Sequence, residues 1–287
     1  MLIVNPAAGG GRAGKALAGV EAALREAGFA FRTETTRSLE HAGELAREAV
    51  AADETAVAFG GDGIVGAVAG ALAGGEGILG VLPGGRGNDF ARVLGIPREP
   101  VAACEVLRSG VVRSLDLGAV GPQTFIGIAS VGFDSEANRI ANETRLIGGS
   151  LVYAYGALRA LMSWHPARFE VTIDAAEPIT MTGYTVAIAN SKAYGGGMYL
   201  APDASLDDGL LDIVMTADVP RLRFLRLLPT VFKGEHVKQP GVTVLRGAEV
   251  HVSADRAFTM YADGDPIAEL PVTVRVRPAA VRAIVPA

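Results

Sequence analysis

Three glycine-rich turns carry the first chemical signal in this chain. They are Asn5 to Gly11, Gly60-Gly61-Asp62-Gly63, and Pro83 to Gly87 with Asn88-Asp89 directly after it, and each follows an apolar run. A turn that leads from a strand into a helix aims backbone N–H groups outward, and the helix N-terminus favours negative charge. Two of these turns also hold a carboxylate, Asp62 and Asp89. Carboxylates beside an anion-binding backbone make chemical sense when a cation bridges them to phosphate. Two well-known phosphate motifs fail here. Gly9 to Lys15 has P-loop spacing, but Ala16 stands where a Ser or Thr would hold Mg²⁺. Gly61-x-Gly63-x-x-Gly66 has the dinucleotide spacing, but the next strand ends Leu82-Pro83-Gly84. No acidic ribose ligand stands there, about 20 residues on.

The elements that must hold these turns follow from periodicity. Strands Met1–Val4, Ala30–Thr35, Thr55–Phe59, Ile78–Leu82 and Val112–Leu117 alternate with helices Ala13–Ala27, Leu39–Ala52, a small-residue helix after Gly63 to about Ala73, Asn88–Leu94 and Pro100–Leu107. Ser38 is placed to cap the second helix. Alternation of buried strands with amphipathic helices predicts an α/β fold, an N-terminal Rossmann-like domain on a parallel sheet. Beyond Gly118 the rhythm changes. Helical stretches Ser135–Asn142 and Gly149–Ser163 precede strand patterns at Arg168–Ile173, Ile179–Ala189, Leu210–Met215, Val242–Val252, Phe258–Tyr261 and Val272–Val276. That part predicts a mainly antiparallel β-sandwich. The expected division is 1–117 and 118–276, with the apolar tail 277–287 returning to the first domain.

Composition narrows the classes. Of 287 residues 49% are hydrophobic and 20% charged, which excludes disorder and supports two cores. The single cysteine, Cys104, excludes a disulfide framework, and no two of the four histidines fall four apart. Net charge is −5, which argues against nucleic acid as a partner. The long weakly charged stretch Ile64–Pro83 is too broken by glycine for a spanning helix, and no basic leader precedes the first strand. A cytoplasmic protein is expected.

The motifs together resemble the bacterial lipid kinases of the diacylglycerol kinase catalytic-domain type, relatives of the sphingosine kinases. The resemblance rests on Asn5-Pro6 and its glycines, Gly60-Gly61-Asp62-Gly63, and Asn88-Asp89-Phe90-Ala91-Arg92. It continues through Asp116-Leu117-Gly118, Ser130 to Asp134, Asn190 with Gly195 to Gly197, Ala201 to Ala204, Asp207-Asp208-Gly209-Leu210-Leu211 and Asp263-Gly264-Asp265. It implies an ATP-dependent kinase that phosphorylates a lipid hydroxyl, with Mg²⁺ and a membrane-surface substrate such as diacylglycerol. A nucleotide site is implied at Asn5, Pro6, Gly9, Thr36, Gly60, Gly61, Asp62, Gly63, Ile64, Gly66, Arg86 and Asn88. Metal positions are implied at Asp62, Asp89 and Asp116, and separately at Asp208 with the carbonyls of Ser205 and Leu210. The general base is implied at Asp265, with Asp263 as the alternative. Three departures stand out: Ile64 where the family has Thr after GGDG, Gly85-Arg86 in place of Gly-Thr, and Asp265 where it has Glu.

Two other classes stay open on the sequence: an NAD kinase-like small-molecule kinase, and a non-catalytic lipid- or nucleotide-binding protein. A homodimer is left open too. The segment Val219–Lys238 carries Arg221, Arg223, Arg226, Lys233 and Lys238 against Glu235 alone. Leu222, Leu225, Leu228 and Phe232 follow helical spacing there, which suits either an interfacial helix at the inner membrane face or an ordinary packed one. Pro229 is expected to break or kink it.

Overall fold

Short apolar runs build most of the first sheet, with the polar, partly exposed strand Thr33–Thr35 at its edge. A computed structural model of the chain describes residues 1–133, 135–136, 140, 159–160 and 164–287. Strands β1 (Leu2–Val4), β2 (Thr33–Thr35), β3 (Ala56–Gly60) and β4 (Ile78–Pro83) run parallel in the order β2-β1-β3-β4. Helices α1 (Ala8–Glu26) and α5 (Pro100–Ser109) pack together, as do α2 (Leu39–Ala51) and α3 (Asp62–Leu72). The short α4 (Asp89–Val93) follows β4. Ser38 caps α2 as expected, its Oγ accepting from the His41 N–H at 3.1 Å. All three glycine turns therefore open at the carboxyl ends of parallel strands.

The second half is antiparallel. Strand β9 (Ile179–Ala189) is its axis: β7 (Ile128–Gly132) and β8 (Ala167–Ile173) share one edge, and β10 (Leu211–Ala217) takes the other. β11 (Val242–Gly247) extends β10, while β12 (Glu249–Ala254) pairs with β8. β13 (Thr259–Ala262) and β14 (Asp265–Glu269) form a hairpin on β7. Helix α6 (Arg221–Val231) precedes a 3₁₀ turn, Glu235–Lys238. An aliphatic core fills the strand layers, and Phe133, Trp164, Tyr184 and Phe224 form a separate aromatic cluster.

One strand ties both halves into a single sheet. β15 (Val272–Val285) pairs antiparallel with β12 through Val272–Arg275 and parallel with β4 at Arg282–Ala283. β5 (Val111–Val120) runs antiparallel along nearly its whole length, and the short β6 (Gln123–Phe125) folds back on β5. A register shift between Arg277 and Val281, with Ala279 at φ 50°, lets β15 pass from one pairing to the other.

Several elements differ from the periodicity, which does not place β6 or β7. The run Val242–Val252 is two strands, because Asp174 Oδ1 accepts the Ala248 and Glu249 N–H groups at 2.9 and 2.8 Å and turns the chain there. Strand β14 escapes a hydrophobic pattern because its sequence, Asp-Pro-Ile-Ala-Glu, is charged at both ends, has no apolar alternation and is half exposed. α6 continues through Pro229 and ends two residues later rather than breaking at it. Most of the helical stretches expected at 135–142 and 149–163, with Asp134, lie outside the described residues.

Candidate functional site

The first turn is left-handed at three successive glycines, Gly9, Gly10 and Gly11, with φ of 64°, 73° and 89°. Only glycine takes that path cheaply, so the regular part of α1 begins after them. The turn lies against the Pro83–Asn88 loop: a Cβ on Gly9 would stand 2.6 Å from the Gly84 carbonyl oxygen. Arg12 fastens the two by donating from Nη2 to the Gly85 carbonyl at 2.5 Å. The Gly60–Gly63 turn closes the set, since the Gly84 and Gly85 N–H groups both donate to the Gly60 carbonyl, at 2.6 and 3.0 Å. Three backbone loops thus meet in close contact, with Arg12 bridging two of them. Asn5 begins the first loop, and Thr36 sits beside it because its N–H donates to the Val4 carbonyl at 2.8 Å.

Several residues implied for the nucleotide act here through shape. Asn88 spends its side-chain amide within its own loop, accepting from the Gly85 N–H at 2.7 Å and donating to the Gly85 carbonyl at 3.1 Å. Ile64 is 2% exposed and packs into the apolar core, so only its backbone N–H in the first turn of α3 faces outward. Pro6 packs on Gly14 and accepts that residue's N–H at 3.2 Å. Arg86 is different. It is exposed at the mouth of the loops beside Gly10 and has no ion-pair partner among the described residues.

The carboxylates separate into distinct tasks. Asp62 Oδ1 accepts the Phe90 N–H at 3.0 Å and so caps α4, while Oδ2 has no hydrogen bond among the described residues. Asp89 is buried; its Oδ2 accepts the Gly196 N–H at 2.6 Å, and the Arg92 guanidinium lies 3.5 Å from Oδ1. Burial raises the Asp89 pKa, and the neighbouring charge of Asp62 acts in the same direction. Asp62 Oδ2 and Asp89 Oδ2 both stand within 3.3 Å of where a Gly87 side chain would begin. Glycine at 87 leaves that space open. Asp116 does not join them: its two oxygens accept the Gly209 and Ala279 N–H groups, each at 2.7 Å, and it holds the β15 bend.

Asp263 and Asp265 come from the β13–β14 turn of the second half and stand on its two sides. The Asp263 carboxylate accepts three N–H groups in a row, Ile126 at 2.8 Å, Gly127 at 2.9 Å and Ile128 at 3.2 Å. Its turn backbone meets solvent, but the carboxyl group is buried, and burial pushes its pKa up to about 6 against those three donors. Asp62 adds repulsion from across the cleft. Asp265 is exposed, with no hydrogen-bond or ion-pair partner among the described residues. Both aspartates line a cleft of about 730 Å³ whose other wall carries Asp62, Gly63 and Gly66.

Asp208 is occupied. Its Oδ1 accepts the Leu210 N–H at 3.1 Å, and Oδ2 is paired with Arg246, which also reaches the buried Asp212 at 3.5 Å. The Ser205 hydroxyl donates to Asp207 at 2.5 Å. A cation at Asp208 would have to displace a guanidinium, so these residues as arranged do not fit one. Among the described residues no three His, Cys, Asp or Glu side chains converge as a metal cage. The sequence motifs give no role to Arg12 or to the Ile126–Ile128 link and carry Gly196 only as part of Gly195 to Gly197; the position of Arg12 just past the glycines is the one local sign of its contact.

Comparison with known proteins agrees with this arrangement. Residues 1–120 match the diacylglycerol kinase catalytic domain, and residues 127–285 match the YegS C-terminal NAD kinase β-sandwich-like domain. A protein named diacylglycerol kinase from Mycobacterium tuberculosis is 36% identical over 99% of this chain and 94% of its own length. One of the same name from Bacillus subtilis is 32% identical over 92% of this chain and 88% of its own length. The crystal structure of a diacylglycerol kinase from Bacillus anthracis superposes with a TM-score of 0.77 at 20% identity, covering 99% of this chain and 95% of that one, which speaks for the fold. With both halves matched in order and relatives aligned end to end, the chain belongs to the diacylglycerol kinase catalytic-domain family of lipid kinases.

Proposed function

We propose that the chain transfers the γ-phosphoryl group of ATP to the hydroxyl of a lipid of the diacylglycerol type, giving phosphatidate. The observation that carries this reading is the cleft that the unpartnered Asp265 shares with Asp62 and Gly63 of the second glycine turn. Phosphoryl transfer asks for positioned phosphates, charge neutralisation and a base for the acceptor hydroxyl. The three loops supply the first. The α3 N-terminus offers N–H groups to a triphosphate, and the absence of a Cβ at Gly9, Gly61 and Gly85 lets the other two loops pack beside it. Arg86 supplies a free guanidinium at the loop mouth, a charge-assisted phosphate contact where the family has a hydroxyl.

Asp62 is the carboxylate that fits Mg²⁺. Its free Oδ2 faces the opening at Gly87, and one protein carboxylate with phosphate and water ligands is the usual Mg²⁺ arrangement. When bound there, Mg²⁺ would offset phosphate charge. Asp89 we assign to holding the Gly195–Gly197 loop of the second half onto the first, through Gly196.

Asp265 takes the proton of the lipid hydroxyl as that oxygen bonds to the γ-phosphorus, while the bond from that phosphorus to the β–γ bridging oxygen breaks and ADP leaves. Asp263 positions it: its three-amide clamp fixes the turn from which Asp265 projects. On this assignment residues 1–117 with the tail 277–287 hold nucleotide and residues 118–276 hold lipid, working from the cytoplasm at the inner membrane face. Incubation of the purified chain with [γ-³²P]ATP, Mg²⁺ and an extracted bacterial lipid mixture tests the proposal. Label should enter a product that comigrates with phosphatidate. Label in a water-soluble acceptor such as NAD, or in none, would refute it.

A further inference from the structure

Helix α6 has two apolar stripes, and its packing uses only one. Phe224, Leu227 and Val231 are buried, with Phe224 stacked on Tyr184 at 4.0 Å between ring centres. Leu222, Leu225 and Phe232 point away from the body, 61%, 39% and 54% exposed. At 100° per residue Leu222, Leu225, Pro229 and Phe232 fall within one narrow sector of the outer surface. Arg226, Lys233 and Arg223 occupy the sector beside it. These three cations have no ion-pair partner among the described residues, and Glu235 is the only acid between Val219 and Lys238. A helix facing water alone would not set large apolar side chains along its outer edge next to unpaired cations.

We infer that α6 is the membrane-docking element of this protein and that its occupant is an anionic lipid bilayer. The inference rests on the lipid kinase reading for its purpose, but its geometry stands apart. Leucine and phenylalanine on a plane suit insertion into the headgroup and acyl boundary, and adjacent Arg and Lys suit anionic headgroups. The position of the helix also suits a lipid enzyme. Arg221 donates to the Trp164 carbonyl at 3.0 Å, and Trp164 lines a cavity of about 620 Å³ together with Phe258 and Tyr261. Tyr261 lies on β13, the strand that ends at the Asp263–Asp265 turn. Ring contacts from Phe224 through Tyr184 and Trp164 to Phe258 therefore link α6 to the start of that strand.

Flotation with vesicles of phosphatidylglycerol and phosphatidylcholine tests this directly, with pure phosphatidylcholine vesicles as the reference. The full chain should float with the anionic vesicles, less so as salt rises, and scarcely with the neutral ones. The variant Arg223→Gln/Arg226→Gln/Lys233→Gln should bind roughly 100-fold more weakly, from about fivefold per cation near the surface. The variant Leu222→Ser/Leu225→Ser should also lose binding, in a way that low salt does not restore. Both alter exposed side chains, so thermal unfolding should match the parent. Activity on a dispersed short-chain acceptor should persist in both. Parent-like flotation of both variants would overturn the assignment. Flotation that follows the prediction while no lipid is phosphorylated would uphold docking and refute the kinase reading.

Discussion

Replacing Gly85 by Ala tests whether close approach of backbone to backbone makes the phosphate cradle. A Cβ at 85 would stand 2.4 Å from Gly61 Cα and 2.8 Å from Asn88 Oδ1, where ordinary contact begins near 3.4 Å. The Gly60–Gly63 turn and the Pro83–Asn88 loop must then part by about 1 Å, and the Asn88 clasp on Gly85 loosens with them. Overpacking of this kind costs about 1–3 kcal/mol of stability. The functional effect should be larger in proportion, because a misplacement of about 1 Å in a positioned site costs on the order of 100-fold in rate. Gly74→Ala is the control. Gly74 sits at φ 78° with nothing within 4 Å of a new Cβ, so it carries strain of about 1 kcal/mol and touches no loop. Calorimetric ATP binding, steady-state turnover and thermal unfolding should be measured on both. ATP binding and turnover should collapse for Gly85→Ala and persist for Gly74→Ala. Parent-like binding in Gly85→Ala would refute the backbone cradle.

Asp62→Asn keeps an acceptor for the Phe90 N–H but removes the charge; turnover should fall and the Mg²⁺ concentration for half-activity should rise roughly 10–100-fold. An unchanged Mg²⁺ titration would remove Asp62 from the metal role. Asp116→Asn turns a donor toward one of two buried N–H groups and should destabilise the chain by roughly 2–4 kcal/mol in urea unfolding. For Asp263 the sign follows from a folded pKa pushed up to about 6 from the ordinary 3.8. Between those values the folded chain keeps a proton that the unfolded chain has released, so stability from this group falls as pH rises, by at most about 3 kcal/mol. Asp263→Asn should flatten the change in unfolding free energy between pH 4 and pH 7, and an unaltered profile would contradict the buried carboxyl.

The parallel sheet was legible because β1, β3 and β4 are short apolar runs set between helices, with glycine at each carboxyl end. Ser38 was legible because an N-cap is a local device. Long-range matters were not. Nothing local in Asp116 tells that its oxygens hold Gly209 and Ala279, 93 and 163 residues away. Nor does Asp263-Gly264-Asp265 reveal which aspartate turns inward; that depends on Ile126–Ile128, which sit on another strand link. The single strand β15 was hidden by its own bulge, since the apolar alternation lapses at Arg277-Pro278-Ala279. Ile64 shows the limit of reading a motif by position. The residue falls where a phosphate-facing side chain is expected, and a branched apolar side chain there turns into the core.

The central claim is that Asp265, projecting from the second half, takes the proton of a lipid hydroxyl attacking a triphosphate held by the first. Single-turnover transfer from [γ-³²P]ATP to diacylglycerol in anionic vesicles measures this step, with the parent, Asp265→Asn and Asp265→Glu compared at saturating nucleotide. Asp265→Asn should slow transfer by roughly 10²–10⁴-fold with calorimetric ATP affinity unchanged, and Asp265→Glu should recover much of the rate. Transfer by Asp265→Asn at the parent rate would contradict the account.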